Sequence, residues 1–253
     1  MTRSRPPDRF AQLITAAADT FIARGYRRTQ MQDVADALGV AKGTLYGYVE
    51  SKDALLAAAL RYADQVEALP GSDGLPIPTP SPGGLAAVVA DRLASEISDM
   101  RLTHALAANR PGPVADELPA IITDLYQRLA RHRVSIKLAD RCAPELPELA
   151  EVWFGQGRAA QVAALADYLH RNADTGAVIL PGPVHIVART ILETCVLWAV
   201  HLHWDPARGT HRPVDDHTTA ATLARLLTHG LLHGSLTHEQ GVPSPPPTRR
   251  QAT

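Results

Sequence analysis

The sequence predicts an all-α protein, with an amino-terminal three-helix head of the helix-turn-helix type and a larger helical-bundle body. Three observations predict it. Apolar residues recur at the i, i+3, i+4, i+7 spacing of one helical face through most of the chain, and alternation never runs beyond a few residues such as "AVIL". Proline- and glycine-rich stretches cut that periodicity into helix-sized pieces. A short half-polar segment with two glycines, "GVAKGTLYGYVESK" at 39–52, sits between two plainly amphipathic stretches.

Length and composition set the bounds. The chain has 253 residues, 45% of them apolar, enough for one large domain or two modest ones. No stretch reaches about 18 uninterrupted apolar residues, so no transmembrane helix is expected. The basic start "MTRSRPPDRF" lacks the apolar run and cleavage site of a secretory signal. Two cysteines, Cys142 and Cys195, are too few for a disulfide framework and too far apart for a zinc motif. A reduced, cytoplasmic setting is the simplest expectation. Net charge is −1, but residues 1–61 hold nine Lys or Arg against six Asp or Glu, and the remainder holds 16 against 20. A basic end on a mildly acidic body suits an anion-binding module carried by a larger unit.

The first eight residues are polar and proline-containing and read as a disordered arm. Phe10, Leu13, Ile14, Ala17, Ala18 and Phe21 make the apolar face of the first helix, which Gly25 ends. Thr29 followed by Gln32 has the spacing of a capping box, so the second helix is expected to begin at Thr29. Val34, Ala35 and Leu38 form its buried stripe, and Gly39 ends it. Residues 41–48 leave room for about two turns. Ser51 is an N-cap candidate, with Asp53 in the first turn, for a connecting helix over 51–69. Residues 70–84, "PGSDGLPIPTPSPGG", contain five prolines and four glycines and cannot continue a helix. The body then spans 85–235, with helical stretches over 85–109, 121–142, 150–171, 184–204 and 216–233. The tail 236–253 is proline-rich and expected to be disordered.

Residues 31–50 carry the chemistry. A helix-turn-helix needs small residues where the helices cross and a glycine in the turn. Ala35 and Gly39 meet those needs, while Val34, Leu38, Val40 and Leu45 fill the space between the helices. Ala41, Lys42, Gly43, Thr44, Tyr46 and Tyr48 are left outside that core. They offer a cation, a hydroxyl with a methyl, phenols and a close backbone approach, which is the chemistry a major groove and its phosphates need. The N–H groups at the start of the helix at Thr29, and Lys52 beyond the motif, suit phosphates. The plain alternative is a surface turn between two helices, where glycine and polar residues are also common.

These residues resemble the DNA-binding head of the TetR family of bacterial transcriptional repressors. The resemblance covers 10–60 and rests on "AAADTFIARGYRRTQMQDVADALGVAKGTLYGYVESKDALL". It includes the Gly-Tyr before a Thr, the Val-Ala and Gly-Val of the second helix and turn, and the Gly-Thr-Leu-Tyr-x-Tyr run with a Lys beyond it. Val49 stands where the family pattern has Phe. The resemblance implies that Lys42, Thr44 and Tyr46 face the groove, while Thr29, Tyr48 and Lys52 hold phosphates. No cofactor is expected. The resemblance also implies a mechanism in which a small-molecule effector moves the connecting helix, changes the spacing of the two heads of a homodimer and releases a palindromic operator.

The body segment "APELPELAEVWFGQGRAAQVAALADYLHRNADTGAV" resembles the carboxy-terminal domains of one branch of the same family. Apolar stripes on the last two helices, Leu192, Cys195, Val196, Ala199 and Leu202 with Leu223, Leu226, Leu227 and Gly230, are candidates for a four-helix dimer interface. Met100, His104, Tyr126, Trp153, Cys195 and Trp198 are candidate ligand contacts for a lipophilic or aromatic effector. Two other classes stand beside this reading, an enzyme and a helical interaction protein. The sequence has no Gly-x-Ser-x-Gly, P-loop or His-Glu-x-x-His motif, so no enzyme is expected. His229 and His233 could share a helix face, but no further ligand stands at metal spacing, so no metal is expected. A helical interaction protein that binds no DNA is distinguished by substitution of Lys42 or Tyr46.

Overall fold

The computed structural model describes residues 7–108, 112–205 and 215–232. Residues 1–6 of the expected arm, the tail 236–253 and His233 lie outside the described residues. Twelve α-helices make up the described chain, with no strand beyond one isolated bridge.

Helix α1 (Pro7–Arg24) buries Phe10, Leu13, Ile14, Ala17 and Phe21 on one face, as their spacing dictates. It stops at Gly25, whose φ of 81° favours glycine. A Cβ there would lie 2.2 Å from Glu145 Oε1, so the same glycine also admits a contact from the body. Helix α2 (Met31–Leu38) starts two residues later than the sequence suggests. The Thr29 hydroxyl is turned back to donate to Gly25 O at 2.7 Å, and Asp33 instead accepts from the Gln30 amide at 2.8 Å. Gly39 ends α2 at φ 69°. Helix α3 is only Lys42–Leu45, pinned by fully buried Leu45.

Helix α4 (Lys52–Tyr62) is capped by Ser51, whose hydroxyl accepts from Ala54 N at 3.1 Å. It ends seven residues short of the expected Leu69. Arg92 takes two of its last carbonyls, Leu60 O at 2.9 Å and Arg61 O at 2.8 Å. Asp64 leaves the helical path and caps α8, accepting from Val134 N at 2.7 Å, Ser135 N at 3.0 Å and the Ser135 hydroxyl.

The body holds α5 (Gly84–Ser98), α6 (Arg101–Ala107), α7 (Val114–Arg131), α8 (Arg133–Cys142), α9 (Pro147–Ala150), α10 (Ala160–Asp174), α11 (Val184–Ala199) and α12 (Asp216–Leu232). A π-helical segment, Glu151–Ala159, joins α9 to α10. The single helix expected over 121–142 is two, broken at His132, where φ is −109° and ψ 24°. It also begins earlier. Pro119 lies inside α7, because Val114, Leu118, Ile121 and Ile122 make one buried stripe that outweighs a lost backbone bond. The stretch 184–204 is apolar enough to suggest a membrane span. Its α-helix, however, is 16 residues long and buries Ala188, Ile191, Leu192, Cys195, Val196 and Ala199 inside the subunit.

Two apolar cores result. One joins α1–α4 to α5, α8 and residues near Leu149, and the other joins α6, α7, α10, α11 and α12.

Candidate nucleic-acid interface and ligand cavity

In the head, Leu45 and Val49 are fully buried under α3 and anchor it. Ala41, Lys42, Gly43 and Thr44 are exposed, and Tyr46 is 44% exposed. Nothing lies within 4 Å of a Cβ built on Gly43, so the helix surface there is open. A four-residue helix held from beneath and polar above suits insertion into a groove.

Three residues expected at phosphates turn inward instead. Thr29 is 1% exposed, its hydroxyl engaged by Gly25 O. Tyr48 is 5% exposed and stacks on Phe10 with ring centroids 6.2 Å apart. Lys52 donates to Tyr26 O at 3.1 Å and Thr29 O at 3.2 Å and sits 4.1 Å from the Tyr26 ring centre. Each satisfies a group inside the head, since buried carbonyls and a ring face need partners. The exposed polar groups at the start of α2 are Arg27, Arg28, Gln30 and Gln32. They were missed as candidates, although the Arg27-Arg28 pair before a helix start was a legible signal.

Two joints hold the head to the body. At the first, Glu145 accepts from the Arg27 amide at 2.6 Å, and Arg141 donates to Arg24 O at 2.9 Å and to Glu145 at 3.0 Å. The Arg27 amide, then the Arg141 guanidinium, hold the Glu145 carboxyl below its ordinary range, against the opposing effect of burial. At the second, the 70–84 loop folds back onto the residues after α3. Ile77 N donates to Tyr48 O at 2.8 Å and Glu50 N to Ile77 O at 3.0 Å. Thr79 N donates to the Glu50 carboxylate at 2.9 Å. Tyr26 also donates its hydroxyl to Asp53, and burial and that carboxylate together push the phenol well above its ordinary value.

The body contains a cavity of about 110 Å³ between the end of α4, α5, α7, α8, the π-helical segment and α11. Met100 and Trp153 line it. So do Leu192 and Val196, which the sequence placed at a dimer interface. His104, Tyr126, Cys195 and Trp198 do not. His104 is exposed. Tyr126 donates to Asp216 at 2.9 Å, and burial, then that carboxylate, push its phenol up to about 12. Cys195 is fully buried in the second core, and burial pushes its thiol up to about 12. Trp198 is 46% exposed on the outer side of α11. A helix in a two-layer body buries only one side, and the apolar stripe does not say which apolar residue lies past its edge.

The arginines in the cavity wall are paired. Arg128 meets Glu96 at 2.9 Å, Asp99 at 3.0 Å and Asp124 at 3.1 Å. Burial opposes its charge, but the hydrogen bonds it donates to these carboxylates outweigh that and raise its affinity for the proton. Arg92 meets Glu67 at 2.7 Å, and Arg158 meets Asp140 at 3.0 Å.

Among the dimer candidates, Leu192, Val196, Ala199 and Leu223 are buried within the subunit. Gly230 and Leu226 are exposed, Leu226 at 67%, and Leu227 is half-buried. The first four pack α11 and α12 against their own neighbours in the second core.

Comparison with known proteins agrees with this geometry. Residues 13–59 match the profile of the bacterial regulatory proteins of the tetR family. The HTH-type transcriptional repressor KstR2 of Mycolicibacterium smegmatis is 37% identical over 60 residues, which are 24% of this chain and 29% of the repressor. The HTH-type transcriptional activator FasR of the same species is 40% identical over 60 residues, 23% of this chain and 27% of the activator. The match thus spans less than a third of either relative. Over the whole chain the likeness is one of fold. The ketosteroid transcriptional regulator KstR2 of Mycobacterium tuberculosis superposes with a TM-score of 0.56 at 16% identity, over 92% of this chain and 99% of that one. A TetR-family regulator from Streptomyces coelicolor A3 gives 0.56 at 19% identity, over 87% and 90%. Residues 13–59 thus match the tetR family of bacterial regulatory proteins, and the whole chain shares the helical fold of these solved regulators.

Proposed function

We propose that this protein is a transcriptional repressor that binds a palindromic operator as a homodimer and is released by a small, largely apolar effector bound in the body cavity. It works in the cytoplasm, where operator DNA is. The observation that carries the reading is the exposed Ala41–Thr44 surface with Tyr46, held up by buried Leu45 and Val49. Lys42, Thr44 and Tyr46 supply the base-edge and phosphate contacts, Ala41 and Gly43 admit the duplex, and the start of α2 with Arg28 and Gln30 holds a phosphate. Lys52, Thr29 and Tyr48 act by positioning these groups.

One head reads only a few base pairs, so a two-fold pair reading two half-sites supplies the affinity. The outer faces of α11 and α12 carry Ile186, Leu197, Trp198 and Leu226 in exposed positions, with Leu227 and Gly230 alongside. Exposed apolar side chains on two adjacent helices suit the dimer seam. The effector acts by its differential affinity for the two head spacings. Leu60, near the end of α4, lines the cavity, which supports transmission to the connecting helix.

The test is fluorescence anisotropy on a duplex from the chain's own upstream region, with a promoter–reporter assay for the sense of regulation. Specific binding that Tyr46→Ala abolishes, with dimer mass unchanged by light scattering, supports the reading. Unchanged binding by Tyr46→Ala and Lys42→Ala together would refute the site.

A further inference from the structure

Among the described residues, one histidine that lines the cavity has a buried ring nitrogen with no hydrogen-bond partner. His132 stands at the break between α7 and α8, is 6% exposed, and lines the cavity. Its Nε2 lies 3.0 Å from Glu96 Oε1, and the other oxygen of that carboxylate accepts from Arg128 at 2.9 Å. Its Nδ1 is buried and has no hydrogen-bond partner among the described residues. A carboxylate only accepts, so the shared proton sits on Nε2, and in the neutral imidazole this leaves Nδ1 as a bare acceptor. Buried acceptors are normally satisfied, and an unsatisfied one in a cavity wall favours whatever brings it a donor.

The charges around it narrow the donor. Arg92, Arg128 and Arg158 are each paired with carboxylates. An anionic ligand would find no unpaired cation among these wall arginines, and burying its charge beside Glu96 would cost desolvation with no return. A cationic amine would have to share Glu96 with Arg128 and His132, in a wall otherwise made mainly of Leu, Val, Ile and Met side chains.

We propose that the effector is an uncharged, predominantly apolar molecule bearing a hydroxyl group, an alcohol or a phenol, and that this hydroxyl donates to His132 Nδ1. The inference rests on the reading of this cavity as the effector site. His132 is then the residue that selects for the hydroxyl, and the apolar walls select for the hydrocarbon body.

Two matched series test it on the full-length protein by isothermal titration. One is 2-naphthol, 2-methoxynaphthalene and 2-naphthoate. The other is 1-decanol, methyl decyl ether and decanoate. The expected result is that in at least one series the hydroxyl compound binds roughly five- to tenfold more tightly than the ether, the worth of one ordinary hydrogen bond, and that the carboxylate is weaker still. The preference disappears in His132→Phe, whose fold is checked by circular dichroism. A second measurement needs no variant: the Nδ1 nitrogen resonance of His132 is that of an unprotonated nitrogen in the free protein and shifts on binding the hydroxyl compound. In both series, an ether or carboxylate that binds as tightly as its alcohol, or in the free protein an Nδ1 already protonated, overturns the hydroxyl assignment while leaving the cavity an effector site. Failure of all six compounds to bind overturns the effector-site reading itself.

Discussion

Ile77 and Tyr48 are joined by a backbone hydrogen bond of 2.8 Å, which ties the loop after α4 to the residues that follow α3. The loop leads directly into α5, and α5 lines the cavity. Head and body therefore meet along α4 and also along this strap. Ile77→Pro removes the donor without changing the charge of the head. It should speed amide hydrogen exchange over 46–51 and weaken operator binding severalfold, with dimer mass unchanged. Exchange rates equal to wild type would show that the strap does not restrain the head.

Lys42 and Lys52 should separate binding from stability. Lys42 is exposed on α3, whereas Lys52 is committed to Tyr26 O and Thr29 O. Lys42→Ala should lower operator affinity, reduce the slope of log affinity against log salt by about one, and leave the melting temperature unchanged. Lys52→Ala should lower the melting temperature by a few degrees, as the loss of about 1–2 kcal/mol would in a chain of this size. Differential scanning fluorimetry beside anisotropy checks both.

Gly25→Ala tests the first joint between head and body. The new Cβ would sit at positive φ and 2.2 Å from Glu145 Oε1. We expect a loss of about 1–3 kcal/mol in urea unfolding, from backbone strain and the displaced carboxylate.

Acid should loosen the same joint. The Glu145 carboxyl is held below its ordinary range in the folded protein, so its stabilisation is present above the unfolded value of about 4.3 and is lost as pH falls through the lower folded value. In urea titrations, wild type should exceed Glu145→Gln in stability at pH 7, and the difference should shrink only below roughly pH 4. A difference that is constant down to pH 3 would argue against the depressed carboxyl.

Two leucines on α12 should part the seam from the core. Leu226 is exposed and Leu223 is buried. Leu226→Glu should give a folded monomer by analytical ultracentrifugation, while Leu223→Glu should abolish the fold, because it buries an unpaired charge.

Much of this was legible in the sequence because local chemistry decides it. Phe10 to Phe21 sets the face of α1, Ser51 caps α4, and Gly39 closes the turn before α3. Thr29 was misread because Asp33 competes to close the cap and the Thr29 hydroxyl has a nearer partner in Gly25 O. The end of α4 was misplaced because Arg92 and Asp64, which fix it, act across the chain. Trp198 faces outward and Leu192 lines the cavity because an apolar stripe is wider than the face it buries, and only the neighbouring helices decide which edge is wet. His132 gave no sequence signal at all. Its meaning depends on Glu96 in another helix.

The first core, which runs from Phe10 through α4 to Leu138, Cys142 and Leu149, bears on how such regulators are recombined. A chimera that exchanges the head at the end of α4 would strip α1 and α4 of the α8 side of their core and set foreign residues against Gly25, where Arg141 and Glu145 enter. The transplantable unit is discontinuous: residues up to Tyr62 together with α8 and the turn to Leu149. Grafts that carry both pieces keep the joint, and those that cut only at the covalent boundary inherit a mismatched one.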